Sequence, residues 1–261
     1  MKLLIYIKIM KAIINQNLFL FKTVFFDKLI NMALWAVISL FVTSYILPKM
    51  GLVNNFGLLQ FAGVLATVGL FEAYSYIFPF VSDLEGREII YYELGFPIPS
   101  FCLFISKIIA NAFCFIILTA CIIPISKLLL WNIIFLQDFN WFYLIIILLF
   151  ANIFFATMIL FVVSFVKNMS KIGNVWARFI FPFWFMGGFQ FSWSHLYSVN
   201  KIIAYLNLCN PIIYINEAFK IAILQKEGLC SFWLCILIVF IFSLSFFYIG
   251  YVRLKRRLDF I

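Results

Sequence analysis

Residues 141–166 read WFYLIIILLFANIFFATMILFVVSFV, an apolar run that contains no charged residue. A helix needs roughly 20 apolar residues to cross the ~30 Å hydrocarbon core of a bilayer, so this run is long enough to span a membrane. The composition of the whole chain agrees, because 66% of its 261 residues are hydrophobic and only 11% are charged. One water-soluble core of this composition would lack the polar residues needed to cover it. The sequence therefore predicts an all-α integral membrane protein.

Comparable apolar runs recur along the chain, and we expect about six transmembrane helices. The fifth run is shorter than the others and is interrupted by Pro182 and by the Gly187–Gly188 pair. No gap between runs has the length or composition of a domain linker, so a single transmembrane domain over residues 1–261 is expected. The runs lie near residues 29–47, 56–81, 101–125, 141–166, 175–191 and 231–251.

The distribution of basic residues predicts the orientation in the membrane. The chain has 19 Lys and Arg residues against 10 Asp and Glu residues, a net charge of +9. Most of the basic residues fall in segments on the same side as the N-terminus, and cytoplasmic loops are the ones enriched in Lys and Arg. We therefore expect a multi-pass protein of the inner or plasma membrane with both termini in the cytoplasm. This rule accounts for the positive charge, and no nucleic-acid partner is expected.

An amphipathic segment precedes the first run. Lys8, Lys11, Asn15 and Lys22 follow one another at steps of 3, 4 and 7 residues, which places them on one face of a helix. This pattern predicts an interfacial helix over residues 3–27 that directs its lysines toward lipid headgroups. The alternative is a frayed basic leader.

The loop between the second and third runs predicts a short inner helix over residues 82–95. Ser82 and Glu85 form a capping-box pattern, and Gly95 followed by Pro97 and Pro99 forbids continuation of the helix. Acidic residues are concentrated here, and Asp83 has the spacing to pair with Arg87. A solvated connecting helix and a docking helix for a cytoplasmic subunit both remain open. The acidic residues of this segment are Asp83, Glu85, Glu88 and Glu93.

The segment before the last run, residues 191–224, is apolar but broken. Asn210 followed by Pro211 is a strong helix start, and Glu217 has the spacing to pair with Lys220. The pieces on either side of Asn210 are too short or too polar to span, so we expect short re-entrant or outer-interface helices. A long outer loop is the alternative.

Catalytic and metal-binding patterns are missing from the sequence. It contains neither a P-loop nor an H-E-x-x-H motif, and its one histidine is His195. We expect no metal and no cofactor in this chain. Glu72 lies well inside an apolar run and is a candidate polar position on a transport pathway. A disulfide between Cys209 and Cys230 remains open.

Taken in order, these features resemble the membrane subunit of type-2 ATP-binding-cassette (ABC) exporters. The resemblance rests on the basic N-terminal helix, the acidic inner helix ending in LGFPIPS at 94–100, and Lys107 early in the third run. It also rests on Arg178, on the stretch from Pro182 to Gly188, and on NPIIYINEAF at 210–219.

The resemblance implies a permease subunit rather than an enzyme. A separate cytoplasmic ABC ATPase would bind ATP and Mg²⁺, and a second permease copy, identical or not, would complete the translocation path. The polysaccharide, lipid, drug and peptide classes of substrate all remain open. So do two other functions, an integral membrane enzyme acting on lipid-linked substrates and a non-transporting assembly subunit. In the exporter reading, coupling to the ATPase falls on Asp83, Glu85, Gly86, Arg87, Glu88, Glu93, Pro97 and Pro99, and the re-entrant segment contains Asn210, Pro211 and Glu217.

Overall fold

A computed structural model gives the fold and describes residues 2–51, 56–86, 89–225 and 228–259. Within these ranges every regular element is a helix. Two π-helical turns, Val42–Ile46 and Trp176–Ile180, and two 3₁₀ turns, Leu136–Asp138 and Met169–Lys171, interrupt or join the α-helices. The α-helices are α1 (Lys2–Phe41), α2 (Leu47–Lys49), α3 (Phe56–Gly86), α4 (Ile89–Leu94), α5 (Ser100–Leu129), α6 (Trp141–Phe165), α7 (Ile172–Val175), α8 (Phe181–Met186), α9 (Trp193–Val199), α10 (Lys201–Asn207), α11 (Pro211–Leu224) and α12 (Phe232–Asp259).

The described helices include five that are long and apolar enough to cross a membrane, which confirms the predicted class of all-α integral membrane protein. The fifth predicted run instead forms α7, a π turn and α8, which are only 4, 5 and 6 residues long. The helical stretch ends where Gly188 adopts a positive φ of 83°, a conformation that favours glycine. The five long helices are Leu4–Lys49, Phe56–Gly86, Ser100–Leu129, Trp141–Phe165 and Phe232–Leu258.

The N-terminal segment differs from the expected separate interfacial helix. Helix α1 continues without a break from Lys2 to Phe41, so the boundary predicted near residue 27 is wrong. Neither glycine nor proline occurs in this stretch, and nothing in it interrupts the backbone hydrogen bonds of a helix. The residues of the polar stripe are exposed, whereas Ile13 and Phe21 are buried against the bundle, and the contact of the lysines with headgroups stays a prediction. The exposed polar residues are Lys8, Lys11, Asn15 and Lys22.

The predicted helix over residues 82–95 is divided between two elements. Helix α3 runs on to Gly86, so Ser82 is an interior helical residue and the predicted start at Ser82 is wrong. An N-terminal capping motif begins a helix only where the backbone before it is not helical, and residues 80–81 stay helical. The predicted end is confirmed, because the amides of Gly95 and Phe96 close a turn on the carbonyls of Tyr92 and Glu93. Arg87 and Glu88 lie outside the described residues.

Long helices pack in pairs around one hydrophobic core, with α12 along α6 and α1 along α5. Helices α12 and α6 approach each other closely at Gly250 in α12. A Cβ atom at this position would lie 2.8 Å from the backbone nitrogen of Phe161 and 2.9 Å from the carbonyl carbon of Leu160 in α6. A glycine is therefore required for the two backbones to lie this close. The extent of the domain over residues 1–261 stays a prediction.

The bundle has two distinct ends. At one end, which we call the α4 end, the guanidinium of Arg257 in α12 donates to the carbonyl of Val166 at the end of α6. At the other end, the α11 end, the amide of Asn140 donates to the carbonyl of Ala222 at 2.9 Å. The N-terminal part of α1, the C-terminal ends of α3 and α12 and the loop after α6 lie at the α4 end.

Replacing Gly250 by alanine should lower stability by about 1–3 kcal/mol, because the new methyl group overpacks against backbone atoms that cannot rotate away. Thermal unfolding of the purified protein in detergent measures the change as a lower Tm. Gly173→Ala is the matched control, since nothing lies within 4 Å of a Cβ built at Gly173. An equal Tm for the two variants would contradict the close packing of α12 on α6.

Candidate functional site

Helix α4 is fixed at its start by a carboxylate from the helix before it. The Oδ2 atom of Asp83, in α3, accepts a hydrogen bond of 2.9 Å from the backbone N–H of Ile90 in the first turn of α4. Free N–H groups and the positive end of the helix dipole make this a favourable place for a carboxylate. Asp83 therefore sets the position of α4 relative to α3.

The other end of α4 is tied to α5 by an ion pair. The Oε2 atom of Glu93 lies 2.6 Å from the Nζ atom of Lys107, and the Glu93 side chain is 3% exposed. A carboxylate this deeply buried requires a cationic partner, because its removal from water is otherwise too costly. Glu93 and Lys107, which sequence reasoning noted separately, therefore form one contact between α4 and a membrane span.

Glu85 makes a third contact at the α4 end. Its Oε2 atom accepts a hydrogen bond of 3.0 Å from the backbone N–H of Met169, in the loop after α6. Gly86 is the exposed last residue of α3, and Pro97 and Pro99 lie in the turn between α4 and α5. The described acidic residues of this region thus bind their own chain.

The outward face of α4 is aromatic and apolar. The side chain of Tyr92 is 72% exposed and that of Ile89 is 49% exposed, whereas Ile90 and Glu93 face inward. The Tyr92 ring packs edge-on against Phe96 with the centroids 5.2 Å apart. This surface was not predicted from the sequence, because the prediction for this segment rested on its charged residues and not on its apolar ones. The spacing of Ile89 and Tyr92, three residues apart on one helical face, was the available signal.

A cavity of about 490 Å³ lies between α4 and the membrane helices α1, α3 and α5, beside the contacts described above. Asp83, Glu93, Lys107 and Lys28 line it. Lys28 of α1 forms an ion pair with Glu72 of α3, and its Nζ atom donates to the Ser75 hydroxyl at 3.0 Å. Glu72 is therefore buried and paired, and its role on a transport pathway stays a prediction. The lining residues are Gln16, Asn17, Leu20, Phe21, Thr23, Val24, Lys28, Ser75, Tyr76, Pro79, Phe80, Asp83, Ile89, Ile90, Glu93, Lys107 and Asn111.

The predicted helix start at Asn210 is confirmed. Its side-chain oxygen accepts from the N–H of Ile212 at 3.0 Å, and Pro211 is the first residue of α11. The amide nitrogen of the same side chain donates to the carbonyl of Phe183 in α8 at 2.9 Å. Asn210 thus begins one helix while satisfying a carbonyl of another.

Two further asparagines complete this contact between the broken segments. The side chain of Asn207 donates to the carbonyl of Met186 at 2.7 Å, and that of Asn216 donates to the carbonyl of Gly187 at 2.7 Å. The last carbonyls of a helix have no partner inside the helix. The asparagines supply those partners, which allows the chain to break within the protein interior.

Lys220 likewise supplies donors to the backbone carbonyls that come next in the chain. Its Nζ atom donates to the carbonyls of Gly188 at 3.1 Å and Phe191 at 2.7 Å, and to the Oε1 atom of Glu217 at 3.2 Å. This confirms the predicted contact between Glu217 and Lys220. Burial lowers the pKa of Lys220 below its usual value, and the Glu217 carboxylate opposes that shift.

Glu217 connects α11 to the segments on either side. Its Oε1 atom accepts from the backbone N–H of Trp193 at 3.2 Å, and its Oε2 atom accepts from that of Leu229 at 3.1 Å. A Cβ at Gly228 would lie 2.4 Å from Oε2, so a larger residue here would displace the Glu217 carboxylate from this contact. We call Asn207, Asn210, Asn216, Glu217 and Lys220 the re-entrant polar network.

The cysteines near α11 are arranged differently from the disulfide left open above. The Sγ atoms of Cys230 and Cys235 are 3.2 Å apart, whereas Cys209 is exposed. The hydrogen bond with Cys235 lowers the pKa of the Cys230 thiol below its usual value. Among the described residues, no three His, Cys, Asp or Glu side chains are grouped to hold a metal ion.

A comparison with known families decides the class of this protein. The sequence model of the ABC-2 type transporter matches residues 9–224. The chain belongs to the ABC-2 type transporter family. The match begins in α1 and ends with α11, so it includes both α4 and the re-entrant polar network. No curated protein sequence matches the chain.

Family membership confirms the resemblance stated from the sequence. The chain is a multi-pass membrane permease subunit of an ABC transporter, and it is a transport component rather than an enzyme. The family implies an ABC ATPase partner and dimerisation.

Replacing Lys220 by methionine should destabilise the protein by about 3–5 kcal/mol, because it leaves a buried carboxylate without its cationic partner and two carbonyls without a donor. Thermal unfolding in detergent should show a large fall in Tm. Lys201→Met removes the same charge from an exposed position of α10 and should leave Tm nearly unchanged. Equal Tm values for the two variants would contradict the role of Lys220 in the network.

Proposed function

We propose that this chain is the transmembrane permease of an ABC exporter, driven by ATP hydrolysis on a separate ATPase subunit. The observation that carries the proposal is the arrangement of α4. This short helix lies at the end of α3, is tied to α3 and α5 by its polar contacts, and exposes an aromatic face. Such a face is suited to fill a pocket on a partner, since tyrosine is a common anchor in protein interfaces.

The proposed orientation places the α4 end in the cytoplasm, where the ATPase is. Basic residues accumulate at this end, and cytoplasmic segments of membrane proteins are enriched in Lys and Arg. Both termini would then be cytoplasmic, and the re-entrant polar network would lie toward the outside. The basic residues at the α4 end are Lys167, Lys171, Arg253, Lys255, Arg256 and Arg257.

Movement of α4 would be transmitted to the membrane helices through two contacts of α4 and one contact of the adjoining end of α3. The bond from the Ile90 N–H to Asp83 joins α4 to α3, and the Glu93–Lys107 ion pair joins α4 to α5. The bond from the Met169 N–H to Glu85 joins the end of α3 to the loop after α6. When two ATPase subunits close on ATP, α4 is displaced, and these contacts oblige the attached spans to tilt with it.

The export path would lie between two permease copies, each with its own α4 on one ATPase subunit. ATP and Mg²⁺ bind to the ATPase, and this chain supplies the coupling surface and the path. The broken segment at the α11 end would stay closed to the outside until the spans tilt. The carbonyls at its break already accept hydrogen bonds from side chains of α11 and its neighbours, so it can sit at membrane depth without water at those carbonyls.

The Ile89→Ala/Tyr92→Ala double variant should weaken association with the ATPase subunit by at least about tenfold, because these side chains form the exposed face of α4. Association is measured by copurification and by titration of the purified ATPase subunit onto the permease in nanodiscs. The variant should keep its Tm, since both side chains are exposed.

The matched control is Tyr205→Ala, because Tyr205 is also an exposed tyrosine, at 57%, but lies on α10 near the other end. Its association with the ATPase should equal that of the unmodified protein. Unchanged association of the α4 double variant would contradict docking through this face. Binding without any stimulation of ATP hydrolysis by a substrate would favour a non-transporting assembly subunit.

A further inference from the structure

A basic cleft lies at the α4 end between the ends of α6 and α12. It has a volume of about 480 Å³. Four of its five lining side chains carry a positive charge, and the fifth is a serine. The residues of this basic cleft are Ser164, Lys167, Arg253, Arg256 and Arg257.

Two of the arginines are held in place by the end of α6. The Nη1 and Nη2 atoms of Arg257 donate to the carbonyls of Val166 at 2.8 Å and Lys167 at 3.1 Å. The guanidinium of Arg253 lies 3.9 Å from the centroid of the Phe165 ring, within the range of a cation–π contact. These side chains therefore lose little conformational entropy when a ligand binds between them.

No ion pair among the side chains that the structure describes includes a residue of the basic cleft. The ion pairs among the described residues are Lys28–Glu72, Lys107–Glu93 and Lys220–Glu217. Like charges placed together repel one another, and the repulsion falls when an anion enters. The guanidinium group also matches the paired oxygens of a phosphate.

The basic cleft lies at the boundary of the membrane-spanning region. Phe165 is the last residue of the span in α6 and is half exposed. On α12 the side chain of Ile249, one turn before Arg253 and on the same face of the helix, is 39% exposed. A ligand with its phosphate in the cleft would therefore have an apolar surface on which to lay hydrocarbon chains.

The geometry points to a binding site for the headgroup of an anionic phospholipid in the basic cleft. Its phosphate contacts the guanidinium groups of Arg253 and Arg256 and the ammonium group of Lys167, and its acyl chains follow the exposed face of α12. Lys167 of the cleft lies two residues before Met169, whose amide donates to Glu85. A bound headgroup therefore steadies the loop that contacts the end of α3. The site does not depend on coupling to an ATPase.

Native mass spectrometry of the full chain tests the site. The protein is taken from nanodiscs that contain equal amounts of phosphatidylglycerol and phosphatidylcholine, and the lipids retained on it are counted. The unmodified protein should retain phosphatidylglycerol preferentially. Arg253→Gln/Arg256→Gln should reduce that preference about 10- to 30-fold, since two cationic contacts to the headgroup are lost. Arg257 is left unchanged because it also holds the end of α6.

Lys49→Gln/Lys201→Gln is the matched control, because it removes the same charge from exposed positions of α2 and α10, far from the cleft, and should keep the preference. A cleft variant that retains as much phosphatidylglycerol as this control would overturn the proposal. Displacement of the lipid by millimolar inorganic phosphate would overturn the assignment to a lipid in favour of a free anion. A cleft variant that keeps its lipid but loses the ATPase would show a protein docking surface instead.

Discussion

Burying a carbonyl or a charge away from water without a partner is costly, so the groups freed where this chain breaks need donors within reach. This constraint explains why Lys220 and three asparagines donate to carbonyls in the last turn of α8 and in the residues just after it. Without those donors the chain could not break at Gly187 and re-enter as α11. The break in turn determines where α11 packs against α3, α6 and α12. The shape of the α11 end thus depends on side-chain donors as much as on apolar packing.

The same constraint determines how the α4 end responds when α4 is displaced. A buried carboxylate such as Glu93 cannot simply separate from Lys107 when α4 moves, because an unpaired charge in the interior costs several kcal/mol. The Lys28–Glu72 pair connects α1 and α3 on the other side of the same cavity. Displacement of α4 should therefore move helices rather than break contacts. That is the property a permease needs if a partner outside the membrane is to drive it.

The sequence predicted the helical membrane class, the helix start at Asn210 and the contact between Glu217 and Lys220, because each depends on residues close together in the chain. It misplaced the start of the inner helix at Ser82, since a local capping pattern cannot show that the preceding span continues. It left a solvated helix and a docking helix both open for this segment, and it did not predict that Asp83, Glu85 and Glu93 bind groups 7, 84 and 14 residues away in the folded chain. Tertiary pairing of this kind is not encoded in local spacing.

The central claim is that α4 transmits force to the membrane through its buried contacts, and a charge exchange tests it most directly. Glu93→Lys, Lys107→Glu and the double exchange are each reconstituted with the ATPase subunit, and substrate-stimulated ATP hydrolysis is measured. Each single variant should still bind the ATPase but lose most of the stimulation, and the double exchange should recover much of it. Full stimulation in the single variants, or no recovery in a folded double variant, would contradict the account.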